Sequence, residues 1–251
     1  MKINFRQIMV VLTTILAITV NILANALPIN GMNTGEISDS FNVYFVPAGY
    51  VFAIWGVIYI GMLLFAFYQA SPKQQDNPRL ARVGWWVVLG NLANTAWIFF
   101  WHHLLFGWTL VVMLILLASL LFTYEGLRKD NDDATRAEFW LASVPYSIYL
   151  GWISVATIAN VTDVLDYFNW GGFGIAPETW MLVILAVVAA LAWAMSIRRQ
   201  DVAYLAVLVW AIYGIIVKFP DAGIVTTGTW VSFVLIVLAF VYAGYLRLRT
   251  N

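Results

Sequence analysis

Amide and indole side chains set inside long apolar stretches are the chemistry-bearing feature of this chain. Asn21 and Asn25 lie four apart, Asn91 and Asn94 three apart, and Ser147, Ser154, Thr157 and Asn160 follow one another along a single apolar run. Residues three and four apart share a helix face. Lipid offers an amide no partner, so these groups face either protein or a water-filled cavity. They can therefore line a pocket, or they can bond helix to helix at about 0.6–2 kcal/mol per bond. Trp55, Trp97 and Trp152 sit deep in their own apolar runs. There an indole packs on neighbouring side chains or stacks on a flat ligand. Such residues equip a chain to bind rather than to make and break bonds.

Bond-making equipment is missing from the pattern. With no cysteine, thiolate metal sites, iron–sulfur clusters and a Cys nucleophile are excluded together. His102 and His103 are adjacent, about 100° apart on a helix, which is poor geometry for chelation. The sequence has no P-loop, no nucleophile elbow and no HExxH pattern. An enzyme is not expected, and neither is a cofactor or a metal. Glu125, Glu138, Glu178, Lys218 and Asp221 all fall at the ends of apolar runs. A proton-coupled pump would carry its relay group at mid-span. Asp163 and Asp166 fall in a stretch read as an outer loop, Thr162 to Ala176, where they can hold a cation or stand solvated around the Gly171–Gly174 turn.

The elements that must position these groups are membrane helices. Of 251 residues, 63% are hydrophobic and 10% charged, against about a quarter charged in soluble domains. A crossing needs roughly 20 apolar residues. Eight runs qualify: Ile8 to Leu27, Val46 to Tyr68, Gly84 to Trp101, Gly107 to Tyr124, Phe139 to Val161, Pro177 to Ile197, Val202 to Val217 and Thr227 to Leu246. The expected fold is an all-α integral membrane bundle of eight helices. Trp85, Trp86, Trp101, Trp108, Trp140, Trp180 and Trp230 lie near run ends, as interface anchors do. Ala186, Ala190 and Ala194 form a small-residue ridge that can dock on the core or on a second copy in a homodimer.

Lys2, Arg6, Lys73, Arg79, Arg82, Arg128, Lys129, Arg136, Arg198, Arg199, Arg247 and Arg249 fall on one side of this topology, and Lys218 alone on the other. The bias places both termini in the cytoplasm, with the chain crossing the inner (plasma) membrane many times. Lys2, Arg6 and the Ala24-Asn25-Ala26 triplet also suit a cleaved signal peptide, but the run from Ile8 to Leu27 is long for a signal core. The formal net charge of zero offers no basic field to nucleic acid. The partners expected are the lipid bilayer and a hydrophobic small molecule.

Pro47, Trp55 and Tyr59 in VPAGYVFAIWGVIYIGM, Asn94 and Trp97 in NLANTAWIFFW, and Trp152, Ala156 and Asn160 in PYSIYLGWISVATIAN occur in the order and at the spacing of the tryptophan-rich TspO/MBR family. The chain resembles that family over residues 1–161, a five-helix bundle, and carries residues 162–251 as three further helices. The long loop from Pro28 to Phe45, the best lid candidate by length, matches too. Pro47-Ala48 stands where the family has a proline pair, and the loop lacks the family's frequent Trp. The resemblance implies a pocket near that loop, lined by Pro47, Trp55, Tyr59, Asn94, Trp97, Trp152 and Asn160. It implies a receptor or carrier for flat apolar ligands such as porphyrins, with a sensing or transport role. A secondary transporter of another small solute and a scaffold without a ligand are the other readings.

Overall fold

A computed structural model describes residues 3–27, 29–129 and 134–250. Lys2 and Pro28, used in the sequence reading, lie outside the described residues. Each of the eight expected spans corresponds to a helix. These are α1 (Phe5–Ala26), α3 (Ile54–Ala70), α4 (Pro78–His102), α5 (Phe106–Arg128), α7 (Val144–Tyr167), α8 (Pro177–Arg199), α9 (Val202–Lys218) and α10 (Ile224–Thr250). The short helices α2 (Thr34–Asp39) and α6 (Arg136–Glu138) lie between them. Among the described residues, seven spans are long and apolar enough to cross a membrane, and α9 is a shorter apolar helix of 17 residues. The protein is an all-α, multi-pass membrane bundle.

Local signals set the helix ends. Asn4 and Gln7 form a reciprocal capping box on α1, and Asn77 caps α4 ahead of Pro78, which fits the first turn because it has no N–H to satisfy there. Pro145 sits near the start of α7, where it removes a backbone donor and crowds the preceding turn. The chain answers with a widened π turn over Phe139–Ser143, in which the Val144 N–H reaches back to Phe139 O. The helix therefore continues through the proline.

Five helices close into a ring, with α1 against α4, α4 against α5, α5 against α7, α7 against α3, and α3 against α1. At one end small residues let the backbones approach. A methyl group on Gly61 would come within 2.9 Å of Pro145 Cβ, and one on Gly126 within 2.6 Å of Val83 Cγ1. Buried polar ties lock this end. Gln7 Nε2 donates to Gln69 O (2.6 Å) and Gln69 Nε2 returns a bond to Gln7 O (3.1 Å). Arg79 and Glu138 pair at 2.8 Å with both side chains buried. Arg6, Arg82, Arg128, Arg199 and Arg247 all find partners here, on Gln75, Gly126, Arg199, Glu125 and Phe139 respectively. Lys218 lies at the opposite end, 2.5 Å from Asp39. The basic residues thus converge on one end of the bundle, as their distribution in the sequence required.

The last three helices attach through α9, which packs on α7 and on the turn Gly49–Ala53 leading into α3. Asp201 caps α9 and accepts from Tyr124 Oη (2.7 Å) and Ser147 Oγ (2.5 Å), joining α5, α7 and α9 in one buried network. The α8 face that packs on α10 carries Met181, Leu185, Val188 and Ser196. Ala186, Ala190 and Ala194 point the other way and are exposed, so this ridge does not dock on the core.

Candidate functional site

At the end away from the arginines, the ring is held apart by aromatic side chains and encloses a cavity of about 810 Å³, within the range of small-molecule sites. Pro47, Trp55, Tyr59, Asn94, Trp97, Trp152 and Asn160 all line it. The structure therefore brings together every residue expected there from the sequence. Trp55 stacks on Tyr59 (5.5 Å, 26°) and meets Trp152 edge-on (6.3 Å, 81°). Trp97 stacks on Trp101 (4.8 Å, 19°). Tyr59, four residues after Trp55, follows it by about one helical turn, which is why a ladder of rings forms along α3.

The amides fix the walls. Asn21 Nδ2 donates to Asn94 Oδ1 (2.6 Å) and so ties α1 to α4. Asn160 Nδ2 donates to Thr109 Oγ1 (3.0 Å), while Asn160 Oδ1 accepts from Trp97 Nε1 (3.4 Å) and orients that indole. Asn21 and Asn25 line the cavity as well. Asn91 instead donates to Thr13 and Thr14, Ser147 to Asp201, and Ser154 and Thr157 to carbonyls of their own helix. Of the polar set, then, four asparagines serve the cavity and the remainder serve packing.

Two placements differ from the sequence reading. Trp101 is 2% exposed and lines the cavity, so it is not an interface anchor. Trp85, Trp86, Trp108, Trp140 and Trp230 are exposed, as anchors would be, and Trp180 is half-buried with its Nε1 on Gly172 O. Asp163 does not stand in a solvated loop. Helix α7 runs on to Tyr167, and Asp163 is a buried lining residue 4% exposed. Asp166 is exposed, accepts from the Asn42 N–H (3.2 Å), and does not line the cavity. Among the described residues no set of three or more acidic, His or Cys side chains is arranged to hold a metal ion.

The long loop forms the roof through Asn33–Glu36, Ser38 and Asp39. Asn33 and Glu36 cap α2 reciprocally, a signal legible as Asn-x-x-Glu. Tyr44 Oη donates to Glu178 Oε1 (3.1 Å), and that carboxylate holds the phenol above its ordinary range. His102 is fully buried and fastens the roof: its ring nitrogens meet Ile29 O (3.2 Å) and Thr34 Oγ1 (3.0 Å), and its carbonyl accepts from Asn30 Nδ2 (3.0 Å). Each such bond is worth about 0.5–1.5 kcal/mol net. Replacing the ring with alanine, His102→Ala, is expected to raise the open population of the loop about tenfold or more. Cleavage at Glu36 by a glutamyl endopeptidase reads this out, and an unchanged rate would show that the ring does not hold the roof.

The cavity also reaches the side of the bundle. Ile22, Ala26 and Gly49 line it and are exposed, Ile22 by 53%. The opening lies between α1 and the entry to α3. A family model described as TSPO-like protein matches residues 7–244, which includes α8, α9 and most of α10. No curated protein and no solved structure matches the chain.

Proposed function

The chain belongs to the TSPO-like protein family, whose role is of the membrane receptor or transporter type, and from that premise we propose that it is a receptor or carrier for a flat hydrophobic molecule of tetrapyrrole class. The observation that carries this reading is the convergence of two stacked aromatic pairs, Trp55–Tyr59 and Trp97–Trp101, on one cavity of about 810 Å³. Each offset or edge-on contact between a ligand ring and these side chains would add about 0.5–1.5 kcal/mol beyond area burial. Binding here involves no covalent step.

The ligand-binding bundle runs from α1 through α7, past the boundary at residue 161 to Asp163, and α9 braces its wall with α8 and α10 packed behind. By the positive-inside rule the arginine-rich end, with both termini, is cytoplasmic, and the cavity opens toward the opposite face of the inner (plasma) membrane. The exposed alanine ridge of α8 suits a homodimer contact.

The test is a titration of the purified protein with the uncharged dimethyl ester of protoporphyrin IX, followed by tryptophan fluorescence. Saturable quenching at micromolar ligand is expected. Trp97→Ala and Trp152→Ala should each weaken it by at least about tenfold, as loss of a buried aromatic anchor does. Linear quenching that neither variant changes would defeat the proposal.

A further inference from the structure

The charged side chains lining the cavity are Glu36, Asp39 and Asp163, with no Lys or Arg among the described lining residues. Two of the three carboxylates are already engaged. Asp39 is paired with Lys218 Nζ at 2.5 Å, and Glu36 is exposed and accepts from the Asn33 N–H at 2.8 Å. Asp163 differs. It is 4% exposed on the cavity wall, and its Oδ1 has no hydrogen-bond partner. Lys218 is near enough to act on it electrostatically, and Asp166 one turn on opposes that influence, yet the Lys218 ammonium is committed to Asp39. A carboxylate oxygen buried without a donor is costly, by about 1–3 kcal/mol or more for a charged group.

A second unpartnered group lies on the same wall. Trp152 is 3% exposed and lines the cavity, and its Nε1 has no acceptor. Eleven residues separate it from Asp163. At about 100° per residue they stand within about 20° of one another on α7, three turns and roughly 16 Å apart along the axis. Ala156 and Ala159 lie between them on the cavity wall, leaving a shallow surface against which a flat body can rest. The stripe thus presents a donor at its deep end, an acceptor under the α2 roof, and apolar contact between.

We infer that Asp163 selects ligands whose roof-facing end carries a cationic nitrogen or another hydrogen-bond donor, and disfavours those that present a carboxylate there. The inference rests on the ligand-binding reading above and names the substituent chemistry of that ligand. A donor meeting Asp163 supplies the missing partner. A carboxylate in that place would face Asp163 with no lining cation, and two buried carboxyl groups so placed cannot both ionise, so binding a carboxylate there costs the uptake of a proton.

Three derivatives of one ring test this: protoporphyrin IX as the diacid, its dimethyl ester, and an amide bearing two terminal amines. Each is titrated by fluorescence quenching into wild type, Asp163→Asn and Asp166→Asn. Wild type should bind the amine form about tenfold or more tightly than the diacid, the scale of one charged hydrogen bond. Asp163→Asn should abolish that preference, bringing the amine and diacid forms to within about twofold of one another. Asp166→Asn, which removes a charge outside the cavity, should keep the preference. Saturable binding of the ester with equal affinity for diacid and amine in wild type overturns the inference alone. So does a preference that survives Asp163→Asn. Absence of saturable binding by all three rings overturns the inference together with the reading beneath it.

Discussion

Arg79→Ala is expected to lower the stability of the folded bundle by about 3–5 kcal/mol, the range seen when one partner of a buried ion pair is removed. Glu138 is 2% exposed and its Oε1 lies 2.8 Å from Arg79 Nη2. Without the guanidinium, a carboxylate remains buried with Asn77 Nδ2, 3.2 Å from Oε2, as its side-chain donor. The defect falls where α4 begins and α6 leads into α7, so two walls of the ring loosen together. Unfolding in mixed micelles of increasing SDS content, followed by tryptophan fluorescence, would measure the loss. The double variant Arg79→Met/Glu138→Leu should recover most of it, because no buried charge is left behind. A double variant as unstable as the single one would mean that packing, and not charge, sets the cost. Because the pair lies at the end opposite the cavity, the folded fraction should bind ligand as wild type does.

Gly214→Leu is expected to weaken ligand binding by tenfold or more and to destabilise the fold by about 1–3 kcal/mol, as overpacking does. Gly214 on α9 meets the segment that enters α3. Its carbonyl accepts from the Ala48 N–H (3.0 Å), and Trp210 Nε1, one turn earlier, donates to Val51 O (3.0 Å). Even a methyl group on Gly214 would overlap Val51 Cγ2 and come within 3.1 Å of Pro47 Cβ. Val51 is fully buried and, being β-branched, cannot swing away easily. Pro47 and Phe52 belong to the cavity wall, so the added side chain acts on the site from outside. Gly244→Leu, at a position with open space around it, is the control and should match wild type in binding. Unaltered binding in Gly214→Leu would show that the wall stands without α9.

The spans were legible in the sequence because hydrocarbon thickness dictates apolar length, and that rule does not depend on which helix meets which. Their ends were less legible. A charge closes an apolar run in hydropathy, but a helix continues as long as its backbone bonds are met, so α7 carries Asp163 past Val161 and α4 starts at Pro78 instead of Gly84. Asp163 and Trp101 were both misplaced for one reason: position along a run says how deep a residue lies, but not whether a loop folds back over it. The shared cavity wall of Pro47, Trp55, Tyr59, Asn94, Trp97, Trp152 and Asn160 was legible as a group because the spacing of the resembling family is kept within each helix. The Arg79–Glu138 pair was not legible. Its members lie 59 positions apart and become neighbours only when the folded bundle brings α6 against the start of α4.

On the proposed ligand-binding role, the side opening bordered by Ile22, Ala26 and Gly49 sets the route by which ligand would reach the cavity. Ile22 lies within the apolar length of α1, so the doorway faces acyl chains. A flat apolar molecule would then enter after partitioning into the bilayer, and the concentration that governs occupancy is its mole fraction in lipid. At a fixed total amount of ligand, added lipid dilutes it and lowers occupancy even though nothing in the protein has changed. Affinities for this chain compare across preparations only when expressed per lipid.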